Sequence, residues 1–181
     1  MLLVATAAAA QGDLRQGALA YSKGDLPGAV KHLRPLAEGG QALAQYMLGV
    51  ALANAKPPLL NVAEGEDWLK KSAAQGNIAA MRDLGQLSMF AKAPPNRAEA
   101  EKWLLAAANR GDDQAQHLLG VFYLDAKGPE RKPGEAYKWL LLASQRGHLL
   151  SGVMLVSSPG QFEAKDRQDG ERLAAEWAPV R

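Results

Sequence analysis

From Asp13 onward, apolar residues recur every three or four positions, in short runs closed by glycine or by proline-containing stretches. That spacing is one face of an α-helix, and the runs are each three to four turns long. The runs also repeat. Trp68, Trp103 and Trp139 are spaced by 35 and 36 residues, each is followed by leucine, and glycine stands eight positions later at Gly76, Gly111 and Gly147. One further period back lies Gly40. Four residues beyond these glycines are Ala44, Ala80, Ala115 and Ser151, and eight beyond are Leu48, Leu84, Leu119 and Leu155. Gly49, Gly85 and Gly120 follow in the first three copies. A fixed period of this length is the signature of a repeat architecture.

Within one copy, Asn96 with Glu99 three positions on predicts a helix start, and Gly111 predicts its stop. Asn61 with Glu64 repeats the device, and Pro133 suits a first helical turn, where its missing N–H costs nothing. After the glycine, DDQAQHLLGVFYLDA keeps helical spacing until AKPPLL, KAPPN or KGPERKP ends the second helix of its copy. Each copy therefore predicts a helical hairpin, and since one hairpin cannot bury its apolar face alone, neighbours must stack. Alanine and glycine at fixed phase let the two helices of a hairpin approach closely, while Trp, Leu and Tyr fill the space between hairpins. The three tryptophans read as core, each burying on the order of 200 Å².

This pattern, seen as GEDWLKKSAAQGNIAAMRDLG and AEKWLLAAANRGDDQAQHLLG, resembles the Sel-1-like repeat, a relative of the tetratricopeptide repeat. The resemblance implies an all-α fold, an α-α superhelix (solenoid) of stacked antiparallel hairpins with a curved groove. It also implies an adaptor for other proteins, often in the bacterial envelope. The copies depart from the pattern at the ends: His32 takes the tryptophan place and Pro35 sits in the helix of the first, while Ser151, Gly152 and Val156 erode the fourth. Four segments follow. Residues 1–10 read as the remnant of a secretory leader, and 11–28 as a flanking helix and turn, the first helix of a hairpin whose second opens at Asp25 and Pro27. Residues 29–157 form the repeat array. Residues 158–181 form a capping helix begun by Ser158 and Pro159, docked through Leu173 and Trp177 while Glu163, Lys165, Asp166, Arg167 and Arg172 face water. The last segment reads alternatively as an amphipathic tail that folds on a partner.

Met1 to Ala10 is uncharged and alanine-rich, too short to cross a bilayer, with Ala8 and Ala10 offering a small-x-small cleavage signature. This points to a periplasmic or secreted protein; an apolar start to the first helix of a cytoplasmic one is the alternative. Composition narrows the chemistry. With 21 basic and 19 acidic residues the net charge is +2, too small for a general nucleic-acid binder, and with no cysteine there is no thiol nucleophile or disulfide. His32, His117 and His148 form no metal-ligand motif, no phosphate-binding or nucleophile-elbow motif occurs, and no cofactor is implied. Glu64 with Glu66 and Asp112 with Asp113 read as helix-start charges, and Lys70-Lys71 and Arg131-Lys132 as solvated faces.

What remains is a binding surface. If the glycine-following helices line the groove, as the resemblance implies, positions six and ten after each glycine fall on one helical face. These are Tyr46 and Val50, Arg82 and Gln86, and His117 and Val121. They change chemistry from copy to copy, as a stripe that reads a protein or peptide partner would; packing of the inner helical layer is the other reading. The expected function is a non-enzymatic adaptor that binds a partner segment in its groove. The alternative is a regulatory, chaperone-like or immunity-like protein masking one dedicated target. A monomer is expected, since both ends look capped.

Overall fold

The computed structural model describes residues 13–54, 61–91, 95–126, 131–157 and 159–180. Residues 1–10, the AKPPLL linker and Ser158 lie outside the described residues. Every regular element among the described residues is helical: α1 over 13–22, α2 Leu26–Glu38, α3 Ala42–Asn54, α4 Val62–Ala74, α5 Ile78–Gln86, α6 Arg97–Ala108, α7 Asp113–Asp125, α8 Pro133–Gln145, α9 Leu149–Ser157 and α10 Ala164–Ala175. A π-helical turn, Leu87–Ala91, continues α5, and a 3-10 turn, Pro159–Gln161, precedes α10. None of these helices is long and apolar enough to cross a membrane. Two compact units, Met1–Asp83 and Leu84–Arg181, divide the chain, with the boundary inside α5.

One turn device recurs five times: Gly24 (φ +76°), after which Asp25 donates its N–H to the Ala20 carbonyl at 2.9 Å, joins α1 to α2 as the four array glycines join their helices. Gly40, Gly76, Gly111 and Gly147 adopt φ of +87°, +89°, +86° and +94°, a region open to glycine at little cost. The following residue then donates its N–H back into the first helix: Gln41 to the Leu36 carbonyl, Asn77 to Ser72, Asp112 to Ala107 and His148 to Ala143, at 3.0–3.3 Å. Carbonyls that a helix end would leave orphaned are thereby satisfied. The second helix starts on a side-chain cap: Asn77 Oδ1 accepts from Ala80 N, and Asp112 Oδ1 from Ala115 N. The first helices open as the spacing predicts, with Asn61 and Asn96 capping Glu64 N and Glu99 N and Pro133 in the first turn of α8.

Packing between hairpins assigns the glycines a different role from the expected one. A methyl carbon placed on Gly49 would stand 2.8 Å from Leu69 Cγ, on Gly85 2.6 Å from Leu104 Cγ, and on Gly120 2.6 Å from Leu140 Cγ. Each leucine follows the repeat tryptophan, so these glycines seat the next hairpin rather than close their own. Gly17 of α1 seats Leu33 of α2 at 2.6 Å in the same manner. α1 thus seats α2 as a second helix seats the next copy, while the Gly24 turn joins it to α2 as in a hairpin whose second helix is capped by Asp25 with Pro27 in its first turn. Trp68 and Trp139 are buried as expected, whereas Trp103 is only half-buried. A lysine ammonium lies over each indole, Lys71 at 3.8 Å, Lys102 at 5.0 Å and Lys138 at 4.3 Å. Lys71 is therefore a lid, and its neighbour Lys70 pairs with Glu66 at 2.7 Å.

The closing helix docks, but it starts later than the Ser158-Pro159 reading has it. Its cap is Glu163, whose N–H donates to Asp166 Oδ2 at 2.8 Å. Asp166 is thus committed to the backbone, and Arg167 donates to the Phe162 carbonyl at 3.0 Å. α10 crosses α8 where Gly170 meets Tyr137 and the Gly134 carbonyl. Trp177 lies edge-on to Trp139 at 6.3 Å, donates to Asn109 Oδ1 at 3.4 Å, and is overlain by Arg146.

Candidate interaction site

In the N-terminal unit, Tyr46 and Val50 stand one turn apart on α3, both half-buried. The Tyr46 hydroxyl donates to Asp83 Oδ2 at 3.1 Å, and Asp83 Oδ1 accepts from Arg82 Nε at 3.0 Å. Burial, together with the Asp83 charge, pushes the phenol up to about 12. It stays a neutral donor at any physiological pH, its ring fixed by a half-buried ion pair. Beside it, Tyr21 of α1 with Tyr46, Met47 and Val50 of α3 lines a cavity of about 160 Å³. Among the described residues that line it none is charged, and its size suits one leucine- or methionine-sized side chain.

In the C-terminal unit, Gln86 and Val121 are half-buried, and His117 belongs to a tight cluster. Its ring stacks on His148 at 4.3 Å, and both Nδ1 atoms meet Ser151 Oγ, at 2.9 Å from His117 and 3.0 Å from His148. His148 Nδ1 also accepts from the Ser151 backbone N–H at 3.3 Å, and its Nε2 lies 3.1 Å from Gln114 Oε1. Proton counting fixes the direction of this chain. Gln114 Oε1 only accepts, so His148 Nε2 carries the proton and Nδ1 is a lone pair. The single hydroxyl proton of Ser151 goes to that lone pair, and His117 Nδ1–H donates to Ser151 Oγ. His148 is therefore the cap of α9, in the place held by Asn77 and Asp112 in earlier copies. Burial, reinforced by His148, holds His117 below its ordinary value.

Serine, histidine and an amide in this order resemble a nucleophile with its base and orienting group. Ser151 is fully buried, however, with its hydroxyl committed at both ends, so the cluster is a cap and not a nucleophilic site. Among the described residues no group of three or more His, Cys, Asp or Glu could hold a metal ion.

A second cleft of about 220 Å³ is lined by Arg97, Ala98, Glu101, Phe122, Tyr123 and Lys132. Its polar atoms serve one another. Tyr123 and Lys132 donate to Glu101 Oε1 at 2.8 and 3.2 Å, while Arg97 lies over Phe122 and donates to its carbonyl at 3.2 Å. Burial would raise Glu101, but these hydrogen bonds and the Lys132 and Arg97 charges outweigh it and hold the carboxyl below its ordinary value. Arg131 and Lys132 are exposed, as a solvated face, and also bridge elements: Lys132 to Glu101 and Arg131 to the Gln161 carbonyl at 3.0 Å.

Of the residues expected to bind, Tyr46, Val50 and Arg82 lie in one unit, with Asp83 joining Tyr46 to Arg82; Gln86, His117 and Val121 lie in the other. Tyr21, Met47, Asp83, Gln114 and His148 are additions from the structure. Asp83, seven residues after Gly76, and Ser151, serine at an alanine phase, carried the visible signals.

Sel1 repeats match residues 42–77, 78–112 and 113–148. A solved Sel1 repeat protein from Oxalobacter formigenes is 24% identical over 82% of this chain and 61% of its own, with a TM-score of 0.64. The protective antigen c5321, present in uropathogenic Escherichia coli strains and displaying an SLR fold, is 28% identical over 92% of this chain, with a TM-score of 0.71. The chain covers only 38% of that antigen, so it spans less than two thirds of either protein. No curated protein matched. Proteins built from these repeats are generally protein-protein interaction adaptors, and the α-solenoid is typically a non-enzymatic scaffold. With three consecutive repeats filling more than half its length, the chain belongs to the Sel1 repeat family.

Proposed function

We propose that this protein is an adaptor that captures a helical or extended segment of a protein partner, anchored by one apolar side chain inserted between Tyr21 and Tyr46. The observation that carries this reading is the cavity of about 160 Å³ lined by Tyr21, Tyr46, Met47 and Val50 beside the Tyr46–Asp83–Arg82 network. An aromatic wall such as Tyr46, braced by its hydrogen bond to Asp83, loses little entropy on binding, and tyrosine and arginine are favoured interface anchors. Val50 continues the apolar surface one turn along α3, and Arg82 supplies a polar rim. The adaptor would work in the envelope if the alanine-rich first ten residues direct export.

A photo-crosslinker at Arg82, used in cells, tests the proposal when combined with Val50→Asp. A partner captured through an apolar residue, and lost on Val50→Asp with helicity unchanged, is the expected result. Crosslinks insensitive to Val50→Asp would sink the assignment of this cavity.

A further inference from the structure

The last helix of the array leaves its forward face bare. Three positions after each turn glycine reach the following repeat: the third, sixth and ninth. Gln114, at the third, pairs with His148; Tyr46 and His117, at the sixth, pair with Asp83 and Ser151; Gly49, Gly85 and Gly120, at the ninth, seat Leu69, Leu104 and Leu140. In α9 the same positions are Leu150, Val153 and Val156, exposed by 63%, 58% and 81%, with Leu149 beside them at 83%. α10 turns away onto α8, so the face that elsewhere in this chain receives a neighbour receives none from it.

The occupant is not another hairpin at the usual spacing. Even one methyl carbon at Gly49, Gly85 or Gly120 would stand within 2.8 Å of the leucine it seats, and Val156 brings three carbons to that place. Only a helix at a wider separation, with side chains interleaved, fits there. The nine residues LLSGVMLVS carry no charge. Foreign partners are chosen by complementary charge, whereas a two-fold contact of this face with itself brings no like charges together. The four exposed side chains present on the order of 500 Å² of apolar surface, as large as monomers usually tolerate. Two such faces would bury about 1,000 Å² in all, the low end for a specific contact.

We infer that α9 is a self-association surface: a second copy of this chain packs its own α9 against Leu149, Leu150, Val153 and Val156 across a two-fold axis, forming a weak, reversible dimer. This inference is independent of the Tyr21–Tyr46 cavity, and it departs from the monomer expected from capped ends, because α10 packs on α8 while Leu149, Leu150, Val153 and Val156 of α9 stay exposed.

Sedimentation velocity of the full chain from about 1 µM to about 500 µM tests it. Dimer should grow with concentration, and Val153→Asp should weaken association by roughly tenfold or more with the circular-dichroism spectrum unchanged, since that side chain is exposed. The absence of cysteine permits a second measurement. Val156→Cys should oxidise readily to a disulfide-linked dimer, while Leu43→Cys, an exposed leucine on α3, should not. A monomer at every concentration, a dimer indifferent to Val153→Asp, or equal crosslinking of both cysteine variants would overturn the inference. So would a photo-crosslinker at Val156 that captures only a different protein, which would give the face to a foreign partner.

Discussion

Gly120 and Gly152, nine and five residues after their respective turn glycines, show how differently one residue type acts on two second helices. Alanine at Gly120 would drive a methyl carbon to 2.6 Å from Leu140 Cγ and 3.2 Å from the Ala136 carbonyl, where only a shift of the α7–α8 contact relieves it. Gly120→Ala is expected to cost about 1–3 kcal/mol in chemical denaturation, and Leu140→Ala in the same chain should recover part of that loss rather than add to it. At Gly152 the methyl would meet only Ser144 Oγ at 3.0 Å, a rotatable hydroxyl. Gly152→Ala should be neutral, or stabilising by about 0.5–1 kcal/mol through helix propensity. The sequence displays both residues as glycine at different phases of the repeat. What each phase faces, a leucine of the next helix or a rotatable hydroxyl, is seen only in the structure.

Among the described helices, α9 alone is capped by a histidine. Asn77 and Asp112 accept through oxygen, whereas His148 accepts through an imidazole lone pair that a proton would abolish. Its partner His117 is held below the ordinary 6.5 by burial and by His148 itself. In the unfolded chain His117 takes its proton first on acidification, so the stability it contributes is complete above pH 6.5 and is lost as pH falls through the folded-state value. The midpoint of urea unfolding should therefore hold from pH 7.5 to about 6.5 and decrease below it, and His117→Gln should flatten the decrease; a midpoint that does not change across pH 6.5 in the native protein contradicts the histidine-cluster account. The capping of α4, α6 and α8 was readable from Asn61, Asn96 and Pro133, because such caps are local chain chemistry. The cap on α9 was not, since a histidine accepts in this way only once Gln114 has fixed its tautomer.

At the scale of the molecule, the period, the hairpins and the solenoid class were legible because the Gly and Leu phases recur four times, and the Trp and Ala phases three times, with little drift. The binding residues were legible only as a phase. Positions six and ten located Tyr46 and Val50, but Tyr21 lies on α1 outside the array, and Asp83 one place off the stripe, so the cavity and its hydrogen-bonded brace needed coordinates. The closing helix is a case where sequence identified the anchor and missed the start: Trp177 docks on Trp139 as expected, while the cap is Glu163. Trp177→Ala should expose the Trp139 edge, red-shift its emission and cost about 2–4 kcal/mol, more than the loss of the 3.4 Å bond to Asn109 alone would explain.

Val156 also governs how such a chain can be lengthened. Whole units spliced in between Asn77 and Ile78 meet a glycine socket on one side and present one on the other, so insertion there preserves every contact type. Appending a unit after Ser157 meets a branched side chain where a socket is required, and growth from that end first needs Val156 reset to glycine.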